Sequence, residues 1–277
     1  MPELPEVETM VAYLRERAID GEVKAVRVLR SPGGRYDQAT AMVGQTLHTV
    51  GRRGKYMTFH LSNGIAVAHN AMSGYWDIKG DEWCFDYVEG ARTAKDSDVR
   101  MEFDVLCDKE LKTVRFHDSR LFGSFRYYQP CRSIEDIGTF ANMGPEAFNT
   151  VNVDMSIDKS KREWNVLDAA MLFNQKVEVK HAMMDQEAVA GFGNIYACEA
   201  LHAAGINPFK IVKKLTTDEW QRLFESGQLV LREALMRKLD YSGLWCYRRK
   251  DCARCEGFIE KKDLRGRSTY FCPSCQK

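Results

Sequence analysis

The sequence predicts an α+β protein in which strands and helices occupy separate stretches of the chain. Three observations carry this. Residues 5–18 place Val7, Met10, Val11 and Leu14 at helical spacing. From about 22 to 128 the pattern shortens to alternation. Met57, Phe59 and Leu61 alternate with polar neighbours, as do Val99, Met101, Phe103 and Val105 with Arg100, Glu102 and Asp104. From about 135 to 240 helical texture returns, and four clustered cysteines follow.

Each element has local reasons. Pro5 suits a helix start, where a missing N–H costs nothing. Glu6 and Glu8 fall in the first turn, where the helix dipole favours acids. In the second stretch, turn signals such as Ser62-Asn63-Gly64 separate the short runs, which predicts a β-sandwich or barrel. The clearest later helices are Asp168–Phe173, Glu199–Ala204 and Glu219–Leu239. A chain of 277 residues is long for one domain. The expected division is 1–130 for the strand-rich domain, 131–245 for the helical one and 246–277 for the cysteine module. No run of eighteen apolar residues occurs, and no basic stretch followed by an apolar segment opens the chain, so the expected location is the cell interior.

Net charge is +1, yet residues 241–277 hold nine Lys/Arg against four Asp/Glu. Such an end is either a solvated tail or a contact for a polyanion. Cys84, Cys107, Cys131, Cys198 and Cys246 stand singly and read as buried small apolar residues. Cys252, Cys255, Cys272 and Cys275 form two C-x2-C pairs sixteen residues apart. Thiolates so spaced suit one tetrahedral Zn²⁺, with a rubredoxin-like iron site as the alternative. A hairpin between the pairs would carry Lys261, Lys262, Arg265, Gly266, Arg267 and Ser268 at its tip. Basic residues there fit a phosphate contact, and a purely structural zinc knob fits equally.

If Met1 is removed, Pro2 presents a secondary amine. An α-amine has a pKa near 8, so a useful fraction is unprotonated at neutral pH. Attack on a sugar C1′ would displace a base and leave a charged iminium, an electron sink for elimination. Glu3 and Glu6 lie close by for proton transfer. The plainer reading is that Pro and Glu begin helices well.

Several segments together carry a resemblance. Pro2-Glu3-Leu4-Pro5-Glu6-Val7-Glu8-Thr9, Gly51-Arg52-Arg53-Gly54-Lys55-Tyr56, His69-Asn70-Ala71-Met72-Ser73-Gly74 and Asp118-Ser119-Arg120-Leu121-Phe122-Gly123 come first. Asp185-Gln186, Val189 through Ala197, Gly266 through Thr269 and Phe271 through Gln276 follow in order. The chain resembles the formamidopyrimidine-DNA glycosylase (Fpg/Nei) family over nearly its whole length. The resemblance implies an N-terminal helix on a β-sandwich, then a helix–two-turn–helix domain with a zinc finger. It implies a monomeric bifunctional DNA glycosylase and AP lyase of base-excision repair, acting on double-stranded DNA with a damaged base or abasic site.

Roles follow from the same resemblance. Pro2 is the expected nucleophile, Glu3 assists sugar-ring opening, and Glu6 positions water or the lesion. Lys55 binds phosphate beside the lesion. Met72, Arg120 and Phe122 fill the gap left by a flipped base, although core packing is the commoner fate of a Met or Phe. Lys180, Asn194 and Arg267 contact phosphates, with an ordinary helix cap as the plainer role of Asn194. One structural zinc sits on Cys252, Cys255, Cys272 and Cys275. The sequence also departs from the family pattern. Residues 238–251 are short where the family carries a flexible loop over a flipped oxidised purine. That turns the expected preference toward ring-opened purines, oxidised pyrimidines or an unusual base. Leu121 replaces an arginine, Asn70-Ala71 replaces Leu-Gly, and the 80–98 stretch is unusual. Two other readings are a non-catalytic damaged-DNA-binding protein and a zinc-ribbon adaptor for another protein.

Overall fold

The computed structural model describes residues 2–81, 95–129, 133–148 and 176–277. They form two compact units, one on residues up to Ala141 and one on residues from Asn142 onward.

In the first unit the predicted N-terminal helix is α1, Leu4–Arg17. Eight strands follow: β1 (Gly21–Val28), β2 (Thr46–Arg53), β3 (Tyr56–Leu61), β4 (Gly64–His69), β5 (Tyr75–Ile78), β6 (Val99–Cys107), β7 (Glu110–His117) and β8 (Ser124–Tyr128). Their hydrogen-bonded order is β5-β7-β6-β1-β2-β3-β4-β8. Strand β1 meets β6 along six residue pairs but β2 at two, Gly21–Leu47 and Glu22–Thr46. That short seam lets the sheet fold over itself. Trp76 on β5 and Phe125 on β8 stand at opposite ends of the strand order, yet their ring centroids are 6.2 Å apart. Phe59 on β3 reaches Phe103 on β6 at 6.1 Å. The two halves therefore face each other across one aromatic core, the sandwich expected from the alternation. At the seam a Cβ on Gly21 would lie 2.5 Å from Cys107 Sγ and Val105 Cγ1, so only glycine fits.

Helix α1 adds Val7, Met10, Val11 and Leu14 to the same core. Polar pins fix its angle. The Tyr13 hydroxyl donates to Asp81 (2.9 Å) and accepts from the Ile78 N–H (3.1 Å), while Arg15 donates to the Val50 carbonyl (2.7 Å).

The second unit contains α3 (Val179–Met183), α4 (Asn194–Ala204) and α5 (Thr217–Met236), after the short α2 (Gly138–Ala141) of the first unit. Thr216 and Glu219 close α5 with a reciprocal capping box. The expected helix Glu199–Ala204 lies within α4. Helix α5 ends at Met236, three residues before the expected Leu239, because Lys238 (φ 52°) and Leu239 (φ 65°) turn left-handed. Strands β9 (Glu260–Leu264) and β10 (Arg267–Phe271) form the predicted hairpin, with Arg265 and Gly266 at its turn. The expected helix Asp168–Phe173, with Cys84 and Cys131, lies outside the described residues. Cys107, Cys198 and Cys246 are buried, as expected. Among the described residues no helix is long and apolar enough to cross a membrane.

The short 238–251 segment is a closed strap. Arg237 donates to the Gly243 carbonyl (2.8 Å) and Asp240 accepts from the Ser242 N–H (2.8 Å). The buried Glu199 carboxylate takes the N–H groups of Trp245 (2.6 Å), Cys246 (3.0 Å) and Tyr247 (2.6 Å).

Candidate functional site

Pro2 is buried immediately before α1. Glu3 is the N-cap residue and Glu6 the third helical residue, and the two form a reciprocal capping box. The Glu3 side chain accepts from the Glu6 N–H, and Glu6 Oε2 accepts from the Glu3 N–H at 2.8 Å. Both carboxylates are buried, at 1% and 0% exposure. The plain helix-start reading and the chemical one thus describe the same residues: the cap fixes Glu3 and Glu6 at the helix start that directly follows Pro2.

Lys55 sits in the tight β2–β3 turn beside Gly54, whose φ is 58°. It is half-buried. Burial, and then the nearby Lys55 ammonium, hold the His69 imidazole below its usual value. Beneath this turn lies a contact the sequence reading missed. Arg52, itself buried, donates to Glu8 on α1 (2.8 Å) and to the Gly54 carbonyl (2.9 Å). One guanidinium therefore ties the helix that follows Pro2 to the turn that carries Lys55. Glu8 reads in the sequence as a dipole-favoured first-turn acid, and nothing in its spacing announces the partner.

Met72 and Phe122 are 43% and 49% exposed, which excludes core packing for both. The exposed Arg120 lays its guanidinium over the Phe122 ring at 5.1 Å. Their two loops are organised by buried Asp118. It accepts from Ser73 Oγ (2.6 Å), Tyr36 Oη (3.1 Å), the Arg120 N–H (3.2 Å) and the Gly123 N–H (2.7 Å). Ser73 follows Met72, so one carboxylate fixes both loops. Asn70 fills its buried position by accepting from Trp76 Nε1 (3.0 Å), and its carbonyl closes the loop through the Gly74 N–H (2.8 Å). A Cβ on Gly74 would lie 2.4 Å from that carbonyl.

In the second unit Asn194 opens α4, with Gly193 at the cap position, so its side chain is not the cap. Asn194 Oδ1 accepts from Lys180 Nζ (2.7 Å) and its Nδ2 donates to the Ser268 carbonyl (2.9 Å). Lys180 is 1% exposed and also donates to Thr269 Oγ1 (2.7 Å). This differs from the expectation of a phosphate-contacting lysine. The ammonium is satisfied within the protein, and its visible work is to join the start of α4 to the β9–β10 hairpin. Arg267 is exposed on that hairpin, whereas Arg265 is tied to Glu178 (2.9 Å). Gln186, another missed residue, shapes the turn before α4: it donates to the Phe192 carbonyl (3.0 Å) and accepts from the Gly191 N–H (3.0 Å).

The sulfurs of Cys252, Cys255, Cys272 and Cys275 lie within 4.8 Å of one another. Two pairs, Cys252–Cys275 and Cys255–Cys272, stand at 3.6 Å. A tetrahedral site with Zn–S bonds of about 2.3 Å needs sulfurs about 3.8 Å apart, so the cluster fits one zinc ion. The N–H groups of Arg254 and Gly257 point at Cys252 and Cys255 Sγ, each at 3.4 Å. Four thiolates leave no open position, so the zinc is structural.

Three family models match consecutive parts of the chain. They are the formamidopyrimidine-DNA glycosylase N-terminal domain (residues 1–125), the formamidopyrimidine-DNA glycosylase H2TH domain (155–243) and the zinc finger found in FPG and IleRS (250–277). Together with the geometry above they define the class: a zinc-finger DNA glycosylase of the helix–two-turn–helix kind. The formamidopyrimidine-DNA glycosylase of Bacillus licheniformis is 31% identical over 300 residues, and that of Parasynechococcus marenigrum 34% over 301, with full coverage of both chains in each case. The chain belongs to the formamidopyrimidine-DNA glycosylase family. Its fold matches the Lactococcus lactis Fpg in complex with abasic-site DNA at a TM-score of 0.80, with 23% identity and full coverage of both chains.

Proposed function

We propose that this chain is a bifunctional DNA glycosylase and AP lyase of base-excision repair, with Pro2 as nucleophile. The observation that carries the reading is the buried capping box of Glu3 and Glu6 at the helix start that follows Pro2. With Met1 removed, the neutral amine attacks C1′ of the damaged nucleotide. The C1′–N bond breaks, and the base leaves with its electron pair and the amine's proton; the C1′–O4′ bond then opens, O4′ takes a proton from Glu3, and a ring-opened iminium remains. The iminium then acidifies C2′, a carboxylate takes that proton, and β-elimination expels the 3′ phosphate. Water releases the enzyme. Glu3 assists ring opening and Glu6 positions water or the lesion.

Around this centre Lys55 binds the phosphate beside the lesion. Met72, Arg120 and Phe122, presented on loops fixed by Asp118, fill the space of the flipped base. Asn194, with the N–H groups that open α4, and Arg267 hold flanking phosphates, and Lys180 acts by positioning Asn194. The enzyme works inside the cell, on the DNA there. The strap at 238–251 is pinned by its own hydrogen bonds, which supports lesion choice without a movable cap over an oxidised purine.

The test is borohydride trapping on duplexes with an abasic site, 8-oxoguanine, formamidopyrimidine, thymine glycol or dihydrouracil. A covalent adduct on the abasic duplex, lost when Met1 is retained, is expected. Formamidopyrimidine or an oxidised pyrimidine should trap faster than 8-oxoguanine. No adduct on any duplex, with Met1 removal verified by mass spectrometry, overturns the reading in favour of a non-catalytic damage binder.

A further inference from the structure

The zinc knuckle has a neighbour that none of the chemistry above uses. His202 lies in the last turn of α4 and is fully buried. Its Nε2 is 3.1 Å from Cys252 Sγ. Its Nδ1 is buried with no hydrogen-bond partner. A neutral imidazole carries one N–H donor and one lone pair. Zinc-bound Cys252 is a thiolate and can only accept. The N–H must therefore sit on Nε2, and the unpartnered Nδ1 is the lone-pair nitrogen. The opposite tautomer would bury an unsatisfied N–H and face a lone pair toward a negatively charged sulfur.

The surroundings hold the imidazole there. Arg254, inside the Cys252–Cys255 knuckle, donates to the carbonyls of His202 (2.6 Å) and Ala203 (3.0 Å). Gln276 donates to the Ile206 carbonyl (2.8 Å), just past the Gly205 cap of α4. The knuckle is thus clamped to the end of α4 through its backbone, and the His202 side chain lies against a ligand sulfur.

We propose that His202 is an outer-shell hydrogen-bond donor to the Cys252 thiolate, one that lowers the charge on that sulfur and slows loss of the zinc. Donors around a metal site fix ligand orientation, and their removal typically costs about 10- to 100-fold in affinity. The backbone N–H of Arg254 already reaches the same sulfur at 3.4 Å, so Cys252 has two donors. The bond also places the zinc at one end of the helix whose other end carries Asn194. It depends on the zinc site and not on the lyase chemistry, so failure of either reading leaves the other standing.

The deciding experiment uses the intact protein with ¹¹³Cd in place of zinc. A hydrogen bond to a cadmium-bound thiolate transmits scalar coupling, so a proton–cadmium correlation from the His202 imidazole N–H is expected, beside peaks from the Arg254 and Gly257 amides. Presence of the amide peaks without the imidazole peak overturns the proposal. A second arm measures zinc transfer to a chromogenic chelator. His202→Phe keeps the volume without the donor and should release zinc about tenfold faster. His202→Gln, whose Nε2 can take the same place, should restore the slow rate. Release by His202→Phe at the wild-type rate also overturns it. If His202→Phe does not retain its fold, the cadmium correlation alone decides.

Discussion

The two units hold their candidate residues in opposite ways. In the first, Met72 and Phe122 stand in solvent on loops, and the buried Asp118 carboxylate below supplies the rigidity. In the second, Lys180 is itself buried and bonded to Asn194, which also reaches the Ser268 carbonyl, while the hairpin they hold is closed by cysteines. The sheet unit has one large apolar core and can leave these loop side chains bare. The hairpin has little core of its own and leans on metal and polar ties. Small modules commonly need such a staple.

Removing the metal should break this comparison most violently. Zinc in small tetrathiolate modules contributes about 10–16 kcal/mol of apparent binding energy to folding. Stripping it with a chelator under reducing conditions is expected to unfold the hairpin and abolish salt-sensitive duplex binding. Amide exchange in β1–β8 should stay slow. Equal loss of protection in both units would show that they are not independent in stability.

The next effect belongs to the Glu8–Arg52 pair. Glu8→Gln removes the carboxylate that pairs with a guanidinium buried at 3% residue exposure. Breaking a buried pair costs about 3–5 kcal/mol, and the double change Glu8→Gln with Arg52→Met should cost less than either single change. Urea unfolding of the four proteins measures the cycle, and additive losses would deny the coupling.

Asp118→Asn should be smaller, about 1–3 kcal/mol, because one oxygen still accepts while the amide faces N–H donors. Faster exchange of the Gly123 amide is expected, with no change at the start of α4. Ala71→Gly comes last and has the opposite sign. Ala71 holds φ 49°, a left-handed conformation that costs a side chain about 1–2 kcal/mol. Glycine relieves that at the expense of some chain entropy, so a gain of about 0.5–1 kcal/mol in thermal unfolding is expected.

Periodicity was enough to locate α1, the strand-rich stretch, α4 and α5, because each presents one apolar face to a core, and the cysteine spacing located the hairpin. It could not reveal how the sheet folds, since a two-pair seam at Gly21 and Glu22 leaves no mark in alternation. The zinc ligands were legible because covalent geometry limits which cysteine spacings can share an ion. Lys180 was not. Whether a lysine reaches outward or is enclosed by Asn194 and Thr269 depends on residues 14 and 89 positions away. Glu8 and Arg52, 44 positions apart, were hidden for the same reason. Met72 and Phe122 show the converse: composition predicts burial, and the loops around Asp118 withhold it.

The seam also has a kinetic meaning. Strands β2, β3 and β4 are joined by short turns and can zip as a meander, and β6–β7 as a hairpin, before any distant contact forms. Strand β1 must then find β6, whose partner residues lie more than seventy positions later in the chain. Loop closure of that length is the slow kind of event in folding. Closure of the sandwich should therefore follow formation of its two halves, and pulse-labelled amides of β3 should gain protection before those of β1.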